Sequence, residues 1–282
     1  MTAIATAPGS APRAASSARL SPRRVWAIIL QNAFIMRRSP LRVMELFYWP
    51  LIEVVLWGFI ASFLATRDAD IPGGVGILLG AVVLWDVMFR SQQELAMTCL
   101  IDMWDRNVLN LYASPLRQSE YVLGGMLFSF ARVAVGSTVL IFVARAAFDF
   151  DLLQAGAVLV PALIALVGMG WGLGLFIRAA VLRFGSNAEV LAWSLAFLVQ
   201  PVSAVFYPVE VLPGWLQRVA FAVPASHVFE ALRAWFADGR PLLGRLILAI
   251  AIDVIYIALG GLALAGALRA VRRRGLLSRP GY

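Results

Sequence analysis

The feature that most constrains this chain is the alternation of apolar runs about twenty residues long with short breaks carrying arginine. A helical run of that length matches a hydrocarbon core about 30 Å thick. Six such runs are predicted as membrane spans, at 44–65, 71–89, 121–144, 152–177, 190–207 and 246–268. Composition agrees: 61% of the residues are hydrophobic and only 14% charged, where a soluble domain of this size carries nearly twice that charge. The chain reads as an all-α integral membrane protein with six transmembrane helices.

Arginine sets the orientation. With both termini on the cytosolic side, seventeen of the 24 arginines flank the inner ends of the spans and six lie in outer segments, as the positive-inside rule requires. The formal charge of +8 does not point to nucleic acid, because the arginines bracket apolar runs rather than forming one basic stripe. Residues 1–21 are rich in Ala, Ser and Pro and read as a disordered cytosolic tail. Residues 22–274 form the transmembrane domain, and 275–282 form a cytosolic C-terminal tail. Within that domain, 25–36 is apolar, flanked by paired arginines and too short to span, so it is predicted to lie along the inner interface.

Several chemistries are excluded by what is missing. Every basic residue is arginine, so the chain has no lysine for a phosphate-binding P-loop or a Schiff base. One cysteine and one histidine rule out an internal disulfide and argue against a cysteine- or histidine-built metal site. No cofactor is expected on this chain.

Between the second and third runs, residues 98–115 mix polar and apolar side chains. On a helix, Ile101, Trp104, Val108, Leu111 and Tyr112 share one face, with Asp105 intruding on it. Asp102, Arg106, Asn107 and Asn110 share the other, and Ser114-Pro115 ends the helix. Such a helix either covers the membrane surface or docks on a separate protein.

Glu45 and Asp86 lie near the ends of their runs, Asp86 read as a boundary residue at the cytosolic end, while Glu53, Arg132 and Asp253 fall well inside apolar runs. A charge at mid-membrane costs roughly 2.5–3.5 kcal/mol on insertion scales, so each needs a partner or water. They either line a polar path, with Asp253 as an outer partner, or form an ion pair that breaks between states; alternatively Arg132 snorkels to the inner surface. Gly168, Gly170, Gly172 and Gly174 supply two small-residue pairs at i, i+4 for close helix contact. The outer segment 208–245 is too apolar for a loop, and its two short helices, broken at Pro213-Gly214 and Pro224, are predicted to form a re-entrant or interfacial hairpin. His227 there is read as a helix-surface residue, with a proton relay as the alternative.

The stretch FYPVEVLPGWLQRVAFAVPASHVFEALRAWF, residues 206–236, resembles the C-terminal signature of ABC-2 type permeases, the membrane subunits of ABC exporters. DMWDRNVLNLYASPLRQSEYVLG resembles the same family's segment between spans two and three. One departure is Ala225-Ser226, where the family pattern carries Leu-Thr. The resemblance implies that Asp102, Trp104, Asp105, Arg106, Val108 and Tyr112 belong to a coupling helix that meets a separate ATPase. It also implies an outer gate or hairpin at Phe206, Tyr207, Pro208, Glu210, Pro213, His227 and Glu230. The partners so implied are an ABC ATPase carrying ATP and Mg, a second copy of this chain as a homodimer, and the lipid bilayer, with no nucleic acid. The location implied is the bacterial cytoplasmic membrane, and the cargo an amphiphilic drug-like molecule or a lipid-linked glycan. Competing readings are a self-contained secondary transporter, for which no internal repeat is visible, and a multispan lipid-modifying enzyme, for which the acids are too scattered.

Overall fold

The computed structural model describes residues 20–66, 76–104, 114 and 116–274. The described residues are helical, with no strand among them. We label the α-helices in order: α1 Pro22–Arg38, α2 Pro40–Ala65, α3 Gly76–Trp104, α4 Gln118–Phe148, α5 Leu159–Phe184, α6 Glu189–Val199, α7 Gly214–Phe221, α8 Pro224–Asp238 and α9 Leu243–Arg274. A 3₁₀ turn, Leu152–Val158, leads into α5.

The centre of the bundle is α5, clasped between α3 and α9. Its glycines make that possible on both flanks. A Cβ at Gly170 would sit 2.6 Å from the Met88 carbonyl of α3, and one at Gly174 2.9 Å from Leu95 Cβ. On the opposite flank a Cβ at Gly172 would sit 2.7 Å from Tyr256 Cβ of α9, and Gly260 answers from that side, 2.9 Å from the Gly172 carbonyl. The four-glycine run therefore works as two i, i+4 stripes, one for each neighbour. Around this centre, α1 packs on α4 through Gly124, where a Cβ would meet Ile28, and α2 packs on α4 where Gly58 faces the Phe148 ring.

The exterior is apolar. Phe59, Phe142, Leu198 and Ile247 are each about two-thirds exposed, a surface that suits lipid or another protein rather than water. On α1, Trp26, Leu30 and Phe34 form an outward stripe, with Arg37 and Arg38 in the last turn. Residues 25–36, expected to lie along the inner interface, form most of this helix.

Among the described residues, four of the expected spans coincide with helical segments long and apolar enough to cross a membrane: Pro40–Ala65, Gln118–Phe148, Leu152–Phe184 and Leu243–Val271. Helix α3 has the length, at 29 residues, but carries Asp86, Arg90, Glu94 and Asp102. The predicted span at 190–207 ends as a helix at Val199, after 11 residues. Pro201 has no N–H to continue the ladder, and residues 200–206 run on as turns and bends with Ala204 at φ 51°. A second correction concerns residues 98–104. They do not start a new helix but continue α3 without a break, since no Pro or Gly interrupts residues 81–104.

Candidate coupling and translocation sites

The last turns of α3 bear the start of the expected coupling segment. Within it, the inward and outward faces differ from the helical-wheel expectation. Asp102 is buried, accepting a hydrogen bond from the Tyr121 hydroxyl of α4, while Trp104 stands 47% exposed. Cys99, Leu100 and Met103 face the core with Asp102. The wheel failed here because the neighbouring helices supply a hydroxyl for the carboxylate, so the polar residue goes inside. Asp105, Arg106, Val108 and Tyr112 lie outside the described residues.

Tyr121 also meets a cation. The Arg178 guanidinium of α5 lies over its ring, 4.6 Å from the centroid. Arg178 is only 1% exposed, and its three guanidinium nitrogens have no oxygen acceptor among the described residues, with the Cys99 thiol beside them. The residue before Tyr121, Glu120, is buried at the first turn of α4. Its carboxylate accepts from the Ser21 N–H at 2.9 Å, the Arg117 N–H at 3.0 Å and Arg24 at 3.2 Å, tying the start of α1 to the start of α4.

The intramembrane charges pair differently from the sequence expectation. Arg132 of α4 bonds Glu94 of α3, and neither Glu53 nor Asp253. Both side chains line a cleft with Asn32, Arg42, Thr98 and Asp102. Asp86 is buried in α3 rather than marking a boundary, and pairs with Arg90 one turn on at 2.6 Å. Asp253 is buried against Gly168, with neither carboxylate oxygen hydrogen-bonded. Glu53 is exposed on α2, and the charges acting on it are Asp86 and Arg90.

One turn further along α2, Trp57 stacks on Phe206, with ring centroids 4.5 Å apart and planes 16° from parallel. Glu53 and the expected gate residue Phe206 are thus served by one helix face. The turn carrying Phe206 is pinned from α8. Glu230 accepts the Val209 N–H at 3.0 Å and Arg233 at 2.9 Å, and Arg233 donates to the Ala204 carbonyl at 2.8 Å. Burial pushes the Glu230 carboxyl up, but the Val209 N–H, Arg233 and Arg245 outweigh it and hold the group below its ordinary value. Tyr207 donates to the Pro201 carbonyl at 2.6 Å, and Gln217 donates to the carbonyl of Glu210 at 3.3 Å. Pro208 leads into a short 3₁₀ turn and Pro213 precedes α7. His227 is buried rather than on a helix surface. Its Nε2 sits 2.8 Å from the Phe221 carbonyl, and so closes the kink between α7 and α8.

With this geometry described, similarity to known proteins can be placed on it. The ABC-2 type transporter family profile matches residues 25–236. The chain belongs to the ABC-2 type transporter family. Its matched region runs from within α1 to within α8, so the sites above lie inside it apart from Ser21, Arg24 and the α9 residues. The ABC-2 chain is 26% identical over 231 residues to the capsule polysaccharide export inner-membrane protein CtrC of Neisseria meningitidis serogroup A, covering 78% of this chain and 82% of that one. It is 25% identical to CtrC of serogroup B, covering 76% and 79%. ABC transporter G family member 20 of Dictyostelium discoideum is 29% identical over 129 residues, 46% of this chain and 18% of that protein. The chain is thus a membrane component of a transporter.

Sequence reading missed Glu94, Tyr121, Arg178 and Trp57. Arg178 carried a readable signal: it is a lone charge inside the apolar run LGLFIRAAVL, as anomalous as Arg132. Tyr121 and Trp57 carried none, since aromatics are ordinary in spans.

Proposed function

We propose that this chain is the permease subunit of an ATP-driven exporter in a bacterial cytoplasmic membrane, acting as a homodimer with two copies of a separate ATPase. ATP and Mg bind the partner, because this chain has no lysine from which to build a P-loop. The family match over 25–236 carries this reading. Similarity to CtrC over most of both chains favours a lipid-linked glycan over a drug-like amphiphile as cargo.

The α2 face supports the placement of the path. A carboxylate exposed to lipid at mid-span is costly, whereas one lining a wet dimer interface is not. Glu53, Trp57 and the stacked Phe206 therefore face the second copy, with Phe206 and Tyr207 closing the outer end of the path. Helices α7 and α8 form the outer re-entrant hairpin, the end of α3 and the residues after Trp104 meet the ATPase, and both termini are cytosolic.

The test is purification from the native host with a tag on this chain. An ATPase should co-purify, the complex should hydrolyse ATP, and the isolated chain should neither bind nor hydrolyse it. Robust hydrolysis by the chain alone, or export of glycan without any ATPase, overturns the proposal.

A further inference from the structure

Arg178 is a buried cation whose guanidinium nitrogens have no oxygen acceptor among the described residues, with the Cys99 thiol of α3 beside it. It stands six residues before the end of α5. Tyr121 stands between this cation and an acid: it presents its face to the guanidinium and its hydroxyl to Asp102. With an ordinary phenol and hydrogen bond, the carboxylate lies about 7 Å from the guanidinium carbon, about 3 Å beyond direct contact.

We propose that Arg178 and Tyr121 are positioning residues for energy coupling, and that Asp102 passes from the Tyr121 hydroxyl to the Arg178 guanidinium during the transport cycle. This rests on the permease reading above. Asp102 stands two residues before Trp104, where the described part of α3 ends, so it follows any displacement of the segment the ATPase would push. Tyr121 does not follow, because its neighbour Glu120 is held by Ser21, Arg24 and Arg117. Gly125, one turn after Tyr121, keeps the space beside the guanidinium clear; a Cβ there would already sit 3.6 Å from Nη1. Each state leaves a different deficit. In the present one the cation lacks an oxygen acceptor, and in the other the phenol loses its acceptor while a charge-assisted bond forms. Two balanced arrangements of one buried cluster are what a coupling switch requires.

The experiment uses the tagged chain with its co-purified ATPase in proteoliposomes. In a Cys99→Ala background, Asp102→Cys and Arg178→Cys are combined, which removes both charges and leaves neither uncompensated. An arginine–carboxylate contact leaves the two backbones beyond disulfide reach, so the cysteines are joined with a bifunctional methanethiosulfonate reagent spanning about 8 Å. Cross-linking of 102 to 178 should be at least five-fold faster in the vanadate-trapped complex than without nucleotide. Equal rates in the two states, or no cross-link in either, overturns the inference. Separately, Asp102→Asn and Arg178→Gln should each lower export per ATP at least five-fold. The exchange Asp102→Arg with Arg178→Asp should restore half or more. An assembled exchange variant no better than the single variants also overturns it; if that variant does not assemble, the cross-linking decides. Absence of any ATPase with the wild-type chain is a different result, which removes the permease reading and this inference with it.

Discussion

The ion pair between Arg132 and Glu94 joins α4 to α3 in the cleft shared with Asn32, Arg42, Thr98 and Asp102, so its removal should be measurable as stability. Their side chains are 15% and 17% exposed, which places the pair between a surface bridge and a buried one. Charges in contact at an effective dielectric of 20 attract by about 4 kcal/mol, and breaking a fully buried pair from one side costs about 3–5 kcal/mol. Residual solvent contact trims this. Glu94→Gln or Arg132→Gln alone should therefore destabilise by about 2–4 kcal/mol. The double variant leaves no orphan charge, so it should fall short of the sum by about 2 kcal/mol. The assay is reversible unfolding of the purified chain in mixed detergent and dodecyl sulfate, run as a double-mutant cycle. Additivity within about 0.5 kcal/mol would refute the pair as an energetic unit. Glu53→Gln is the internal contrast: exposed on α2, it should leave stability unchanged and lower export.

The other expectations are independent of that pair. Gly170→Val should force α3 and α5 apart, since even a Cβ would sit 2.6 Å from the Met88 carbonyl, and destabilise by about 1–3 kcal/mol in detergent melts. Gly261→Ala, with nothing within 4 Å, should change little in the same melts. The Glu230 carboxyl is held below its ordinary value of 4.5, so its contribution is full above that pH and is lost as pH falls through the lower folded value. Melting temperature should accordingly drop on acidification, and Glu230→Gln should flatten that drop. Trp104→Ala removes an exposed aromatic, so it should preserve folding and insertion while lowering export and cargo-stimulated ATP hydrolysis together.

Much of this architecture was legible in the sequence, for identifiable reasons. Apolar length located α2, α4, α5 and α9, since length against a hydrocarbon core is a local property. Proline placed the breaks at 213–214 and 224, and glycine spacing marked both flanks of α5. Partner choice was not legible. Arg132 takes Glu94, 38 residues away on another helix, and no local pattern distinguishes that acid from Glu53. The wheel placed Asp102 outward because a wheel assumes solvent on the polar side, whereas Tyr121 waits on the inside. Residues 200–206 kept an apolar composition while leaving the helix, because composition reports burial and Pro201 governs conformation.

The continuity of α3 has a mechanical consequence. A straight helix of 29 residues is about 43 Å long, and it carries Asp102 and Trp104 at one end and Trp85 toward the other half. Trp85 packs at 6.5 Å against Phe229 of α8, the helix whose Glu230 pins the Phe206 turn. Because no proline or glycine softens residues 81–104, that stretch behaves as a lever rather than a chain of joints. Trp104 and Trp85 are about 28 Å apart along it, so a tilt of about 5° moves one relative to the other by about 2.5 Å. A push too small to unfold anything at the Trp104 end therefore arrives at the hairpin as a displacement larger than a stacked aromatic contact can absorb.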